Sequence, residues 1–276
     1  MYKIFDIHTH TYPEKIADRA VESLEKFYDF YGDYGFAVAG KGTYADLSSM
    51  AEDNNVVGYL LFSVATNPTQ VEKVNDSIAS LAKKSREEGF QTVGFLGMHQ
   101  DYPDFEKELI RCEDMGLCGV KIHPDIQGVD IDDPKLIELY KLIEGRMPLY
   151  LHMGDYRPQY RFSEPRKLAR VLDMFPRLEV VAAHLGGYRA WEEGTDCLAG
   201  RNNVWYDTSS AVWAMTPEYA GEVIHKLGTD RVMFGTDYPV ALTKPEIDRI
   251  LAIDLTEKER EDIFYNNAAR FLHLND

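Results

Sequence analysis

Two histidines stand two residues apart in Phe5-Asp6-Ile7-His8-Thr9-His10. The run leading into them, residues 2–8, reads as a buried strand, and residues i and i+2 of a strand share a face. His8 and His10 can therefore converge on one point, and a neutral imidazole is the commonest metal ligand. Taken alone, the pair is equally well two ordinary histidines at a strand end. The placement of the other histidines decides. Of the eight in the chain, six fall at or just after the end of an expected strand: His8, His10, His99, His123, His152 and His184. His225 and His273 fall in expected helices, and Asp237 directly follows the last expected strand. Satisfied core histidines explain one or two such positions. Six imidazoles and a carboxylate at strand ends predict a metal site.

The elements that must hold these residues follow from hydrophobic periodicity. Apolar runs at 2–8, 56–65, 92–99, 118–123, 148–153, 179–184, 203–208 and 231–235 read as eight strands. Helical patterns occupy 13–28, 43–53, 67–89, 105–115, 136–144, 164–175, 187–199, 217–227, 245–252 and 256–272. In the first of them Ile16, Ala20, Leu24 and Phe27 share a face, and the last opens on a capping box of Thr256 and Glu259. Continuous apolar strands suit a parallel sheet covered on both faces. The strict alternation predicts a (β/α)8 TIM barrel spanning 1–276 as one domain, with its site at the C-terminal ends of the strands. An open doubly wound sheet is the rival, but no G-x-G-x-x-G follows the first strand. The aromatic and glycine-rich stretch 29–42 is either a surface loop or a flap over a pocket.

Composition narrows the partners. A net charge of −16 and a pI near 4.9 argue against a nucleic-acid backbone. Cys112, Cys118 and Cys197 have no C-x-x-C spacing, so neither a disulfide framework nor a thiolate metal site is expected, and a reducing cytoplasm fits. No basic and apolar leader precedes the first strand, and no run approaches the roughly 18 apolar residues of a membrane span. The expected partner is a small-molecule substrate, with a homodimer allowed.

The motifs together resemble a known family. His8-x-His10, His152, His184 and Asp237 after strands one, five, six and eight match the amidohydrolase superfamily. Val120-Lys121-Ile122-His123-Pro124, Ala183-His184-Leu185-Gly186-Gly187, Tyr206-Asp207-Thr208-Ser209 and Phe234-Gly235-Thr236-Asp237-Tyr238-Pro239 resemble its amidohydrolase-related branch. That branch holds metal-dependent hydrolases, decarboxylases of aromatic and muconate-type acids, and a hydratase. The resemblance implies His8, His10, His152 and Asp237 as ligands of one divalent ion, zinc first and manganese as the alternative. It implies His184 as the acid or base beside the metal, with Asp237 as ligand and proton shuttle. The reading it favours is hydrolysis of an amide, ester or lactone by metal-activated water. The alternative is decarboxylation of a small planar carboxylic acid. Retention of every expected ligand argues against a catalytically dead scaffold.

Lys121 has two readings. One is a free ammonium that balances carboxylates or holds an anionic substrate. The other is a carboxylated lysine bridging two metals, as the resemblance allows. His99 and His123 are either substrate contacts or packing under a loop. Tyr156, Arg157 and Arg161 after strand five and Trp213 after strand seven are candidate substrate contacts, an arginine fork being suited to a carboxylate. Trp213 and Tyr238 are candidate aromatic walls.

Overall fold

The computed structural model describes residues 1–28, 37–155 and 157–274. Eight parallel strands run in chain order: β1 Ile4–His10, β2 Val56–Phe62, β3 Gln91–Gly97, β4 Leu117–Ile122, β5 Leu149–Leu151, β6 Val180–Ala182, β7 Val204–Asp207 and β8 Val232–Met233. Backbone bonds from Ile7 N to Phe234 O and from His10 N to Tyr238 O, with a parallel bridge between Thr9 and Tyr238, join β8 back to β1. The expected (β/α)8 barrel is what forms. Phe5, Ile7, Leu60, Phe62, Phe95, Tyr150, Val181 and Met233 fill its interior. Their strand neighbours Ile4, Tyr59, Leu61, Leu96, Leu149 and Leu151 pack outward under the helices, as period-2 alternation requires.

Three elements depart from the periodicity, each for a local reason. The helix expected over 187–199 starts only at Trp191 and runs to Leu198. His184, Leu185, Gly186, Gly187 and Arg189 all hold positive φ, so the backbone after β6 cannot enter a right-handed helix. The helix expected over 256–272 keeps its capping box but carries a π turn at Asp262–Asn266. There the Ile263 carbonyl accepts from Phe234 N at 2.8 Å and leaves the helical ladder. The helix expected over 13–28 is Ala17–Tyr28, and among its described residues Ala17 alone is buried. Its apolar stripe faces a cavity, not the barrel core. Of the 29–42 stretch, residues 29–36 lie outside the described residues, as does Tyr156. Gly40 lies against Tyr238, where an added Cβ would sit 2.4 Å from the ring.

The helix Thr243–Ala252 places Glu246 at zero exposure. Its Oε1 accepts from Arg249 at 2.5 Å, while its Oε2 has no hydrogen-bond partner among the described residues. Burial pushes its carboxyl up to about 7, opposed by Arg249. A folded-state value above the unfolded one stabilises the fold at low pH and loses that contribution as pH rises through about 7. The Tm of the wild-type chain is thus expected to fall between pH 5 and 7 by more than that of Glu246→Gln. Parallel Tm curves for the two proteins in thermal melts would refute this.

Candidate metal centre

β1 ends where the ring of strands opens, and a register shift between Asp6 and Thr9 breaks the alternation that puts Phe5 and Ile7 inside, so that His8 and His10, two residues apart, meet at one point. Their Nε2 atoms lie 3.2 Å apart. Asp237, four residues beyond β8 and held at φ 60°, brings Oδ1 to 3.1 Å from His8 Nε2 and 3.6 Å from His10 Nε2. Ser210 donates to its other oxygen at 2.7 Å. On the far side of its ring His8 Nδ1 meets Asp207 Oδ2 at 3.0 Å. That carboxylate fixes the proton on Nδ1, so Nε2 carries a lone pair. His8 Nε2, His10 Nε2 and Asp237 Oδ1 lie within 3.6 Å of one another and can present three donor atoms to one cation. The donor set, two imidazoles and a carboxylate, suits a divalent metal ion.

His152 and His184 form a second pair beside this group. His184 Nδ1 lies 2.8 Å from Ser209 O, His152 Nε2 lies 3.0 Å from Gly154 O, and His184 Nε2 meets His152 Nδ1 at 3.0 Å. A carbonyl only accepts, so these contacts need three N–H groups, whereas two neutral rings carry two. One added proton on the pair would satisfy all three contacts at once. Burial opposes charge on both rings and lowers their proton affinity, with His123 the next influence on His152. His123 stacks flat on His152 at 3.8 Å between ring centroids, and its Nε2 lies 3.0 Å from Tyr28 Oη. His10, His123, His152 and Asp237 all line one cavity of about 770 Å3.

Asp207, at the end of β7, is the hub that the sequence reading missed. It accepts from Tyr150 Oη and Ser209 Oγ, both at 2.5 Å, and from His184 N at 3.1 Å, besides facing His8. Burial works against its charge, but His8, His184 and Ser209 hold it well below the usual carboxylate range. The available signal was its position in Tyr206-Asp207-Thr208-Ser209 at a strand end.

The remaining sequence candidates take varied places. Lys121 is buried, its Nζ without a hydrogen-bond partner among the described residues and 4.5 and 4.4 Å above the rings of Phe62 and Tyr150. Burial pulls its ammonium down to about 8, against Asp237 and Asp207. His99 is a turn residue, its Nδ1 accepting from Asp101 N at 3.1 Å. Arg157 is buried, and its fork grips Asp155 of its own chain at 2.9 and 2.6 Å beneath the Tyr160 ring. Arg161 pairs with Glu164 on the surface and lines a separate groove with Arg189 and Tyr219. Trp213 is partly exposed and packs on Tyr188. The structure gathers neither Arg161 nor Trp213 into the metal-side cavity. Tyr238 is buried, its hydroxyl bonded to Thr43 O and Asp46.

Comparison with known proteins agrees with this picture. A family profile described as amidohydrolase matches residues 5–274. The 2-amino-3-carboxymuconate-6-semialdehyde decarboxylase of Caenorhabditis elegans is 26% identical over 62% of this chain and 59% of its own length. The chain thus aligns with under two thirds of that relative. A TIM-barrel protein of Bordetella bronchiseptica superposes with a TM-score of 0.77 at 21% identity, covering 98% of both chains. A dihydroxybenzoic acid decarboxylase of Polaromonas sp. JS666, solved with manganese and 2-nitroresorcinol, superposes with a TM-score of 0.73 at 17% identity, covering 100% of this chain and 98% of its own. At such identities the superpositions show the fold. The two of these proteins with an assigned activity are decarboxylases, which overturns the expectation of an amide, ester or lactone hydrolase. The physical reason is that ligands at strand ends serve either reaction, so the motifs that mark the metal leave the broken bond unspecified.

Proposed function

From the premise that the chain belongs to the amidohydrolase family, we propose that it is a metal-dependent decarboxylase of a small planar carboxylic acid. His8, His10, Asp237 and, as fourth donor, His152 hold one divalent ion, manganese or zinc. When bound, that ion supplies positive charge that fixes and polarises the oxygens of the acid. The rest falls to the chain. The balance is R–CO2⁻ + H⁺ → R–H + CO2: the bond to the carboxylate carbon breaks, its electron pair stays on the skeleton, and a proton joins that carbon.

The observation that carries this reading is the contact of His184 Nε2 with His152 Nδ1 at 3.0 Å. It gives the acid a proton-binding imidazole, His184, beside the metal donors. Burial weakens the hold on that proton, which favours its delivery to a carbanion-like centre. The Ser209 carbonyl orients the ring through Nδ1, and Asp207 anchors its backbone. Lys121, buried with no hydrogen-bond partner among the described residues, acts as a free ammonium that balances Asp207 and Asp237 and favours an anion nearby. His123, stacked on His152, walls the planar substrate.

The test is a panel of acids, lactones and amides offered to metal-loaded protein, with CO2 and hydrolysis products measured separately. 2-Amino-3-carboxymuconate-6-semialdehyde and 2,6-dihydroxybenzoate lead the panel. The expected result is one CO2 per acid consumed, with about one metal ion per chain and an unmodified Lys121. Turnover confined to lactones or amides would overturn the reading. Two metals about 3.5–4 Å apart, bridged by a carboxylated Lys121, would overturn the single-ion assignment.

A further inference from the structure

The metal-side cavity does not stop at the histidines. It continues as a groove between the helices Ala17–Tyr28 and Val71–Glu87. Its floor is apolar: Ile16, Ala20 and Leu24 from one side, Val74 and Ile78 from the other. Its lips are basic. Lys15 and Arg19 stand one helical turn apart on the first side, and Lys73 stands on the second. None of these three forms an ion pair among the described residues. In a chain of net charge −16, a mouth with three cations and, among the described residues, a single lining carboxylate, Asp237 at the metal end, is a local reversal of sign.

Size points the same way. A cavity of about 770 Å3 is in the upper half of the roughly 300–1,000 Å3 range that holds drug-sized ligands. A single-ring acid at the metal leaves the groove between the helices empty. The amphipathic stripe of Ala17–Tyr28 supports this. Ile16 is 40% exposed, and the stripe packs on no core, so the surface it offers is that of the cavity.

We infer that the groove is a distal subsite, and that the substrate is an acid with an apolar extension ending in a second anionic group. The reacting carboxylate sits at the histidines, the extension lies on Ile16, Ala20, Leu24, Val74 and Ile78, and the far anion sits between Arg19 and Lys73. Continuity of the groove with the catalytic cavity makes a substrate its occupant. The inference rests on the decarboxylase reading for the chemistry of the near end only.

Three probes test it by calorimetry on the metal-loaded protein: 2,6-dihydroxybenzoate, its 4-hexyloxy derivative, and its 4-(5-carboxypentyloxy) derivative. The hexyloxy acid is expected to bind more tightly than the parent, through buried methylenes. The carboxypentyloxy acid is expected to bind about tenfold more tightly than the hexyloxy acid, the combined scale of two exposed ion pairs. Raised salt should erode that margin. In Arg19→Glu/Lys73→Glu, two exposed positions away from the chemistry, the margin should vanish while the parent acid keeps its affinity within about twofold. Equal binding of the two tailed probes, tails that weaken binding, a margin that survives the double substitution, or no binding by any probe would each overturn the subsite. CO2 release is read in the same samples. If the probes bind with the expected margin but release no CO2, the decarboxylase reading falls while the subsite stands.

Discussion

His184→Ala is expected to retain nearly stoichiometric metal and to lose roughly 10²–10⁴-fold in rate, the scale of a positioned acid–base group. His152→Ala is expected to lose metal and activity together. The two rings touch at 3.0 Å, so separating their roles depends on what else each one meets. His184 Nδ1 is committed to Ser209 O, and its Nε2 meets His152 Nδ1, while its ring stacks on His8 at 5.2 Å between centroids. His152 lines the cavity with His10 and Asp237, and its flat stack on His123 fixes the plane of the ring. Four protein donors already fill a mononuclear zinc site, so a fifth from His184 would leave little room for substrate. The measurement is metal per chain beside turnover in both variants. A metal-free His184→Ala, or a metal-replete one with wild-type turnover, would defeat the assignment. A metal-replete His152→Ala would reduce the donor set to His8, His10 and Asp237.

The barrel was legible because its signal is local. Each strand is a short apolar run and each helix a periodic one, so chain order alone gives the sheet order. The His8–His10 pair was legible for the same reason, since period 2 is a property of one strand. What escaped depends on neighbours distant in sequence. Asp207 gains its role only when β7 lies beside β6 and near β1, which brings it to residues 23 and 199 positions away. The start of the helix at Trp191 is set by positive φ values that no hydrophobic pattern records. Arg157 is a candidate substrate contact by sequence, yet it grips Asp155 two residues earlier, because charge spacing on a loop does not say which acid will be gripped. The sequence puts Ile16, Ala20 and Leu24 on one helical face, and periodicity cannot tell a core from a cavity wall.

Asp207→Asn is expected to lower metal affinity about 10–100-fold, the usual cost of losing a partner that orients a ligating histidine, and to lower turnover further at saturating metal. The carboxylate makes contacts that an amide cannot reproduce together. Oδ2 faces the Nδ1 proton of His8 and accepts from Tyr150, while Oδ1 accepts from Ser209 Oγ, Ser209 N and His184 N. Asparagine keeps one acceptor oxygen and turns two N–H groups toward donors. If its nitrogen takes the Oδ2 position, His8 meets a donor with a donor and loses the tautomer that leaves Nε2 free for metal. If it takes the Oδ1 position, the His184 backbone and Ser209 lose their anchor, and the His184 ring with them. Either orientation damages one function, so metal affinity and saturated rate should not both survive. Tyr150→Phe is the graded control, since it removes one donor to Asp207 and leaves the carboxylate charged. Its metal affinity should fall less than that of Asp207→Asn, by about 1–2 kcal/mol or below. Metal titration of the two apo-proteins, followed by turnover at saturating metal, reads both effects. Wild-type affinity and rate in Asp207→Asn would mean that His8 and His184 hold their orientation without the carboxylate.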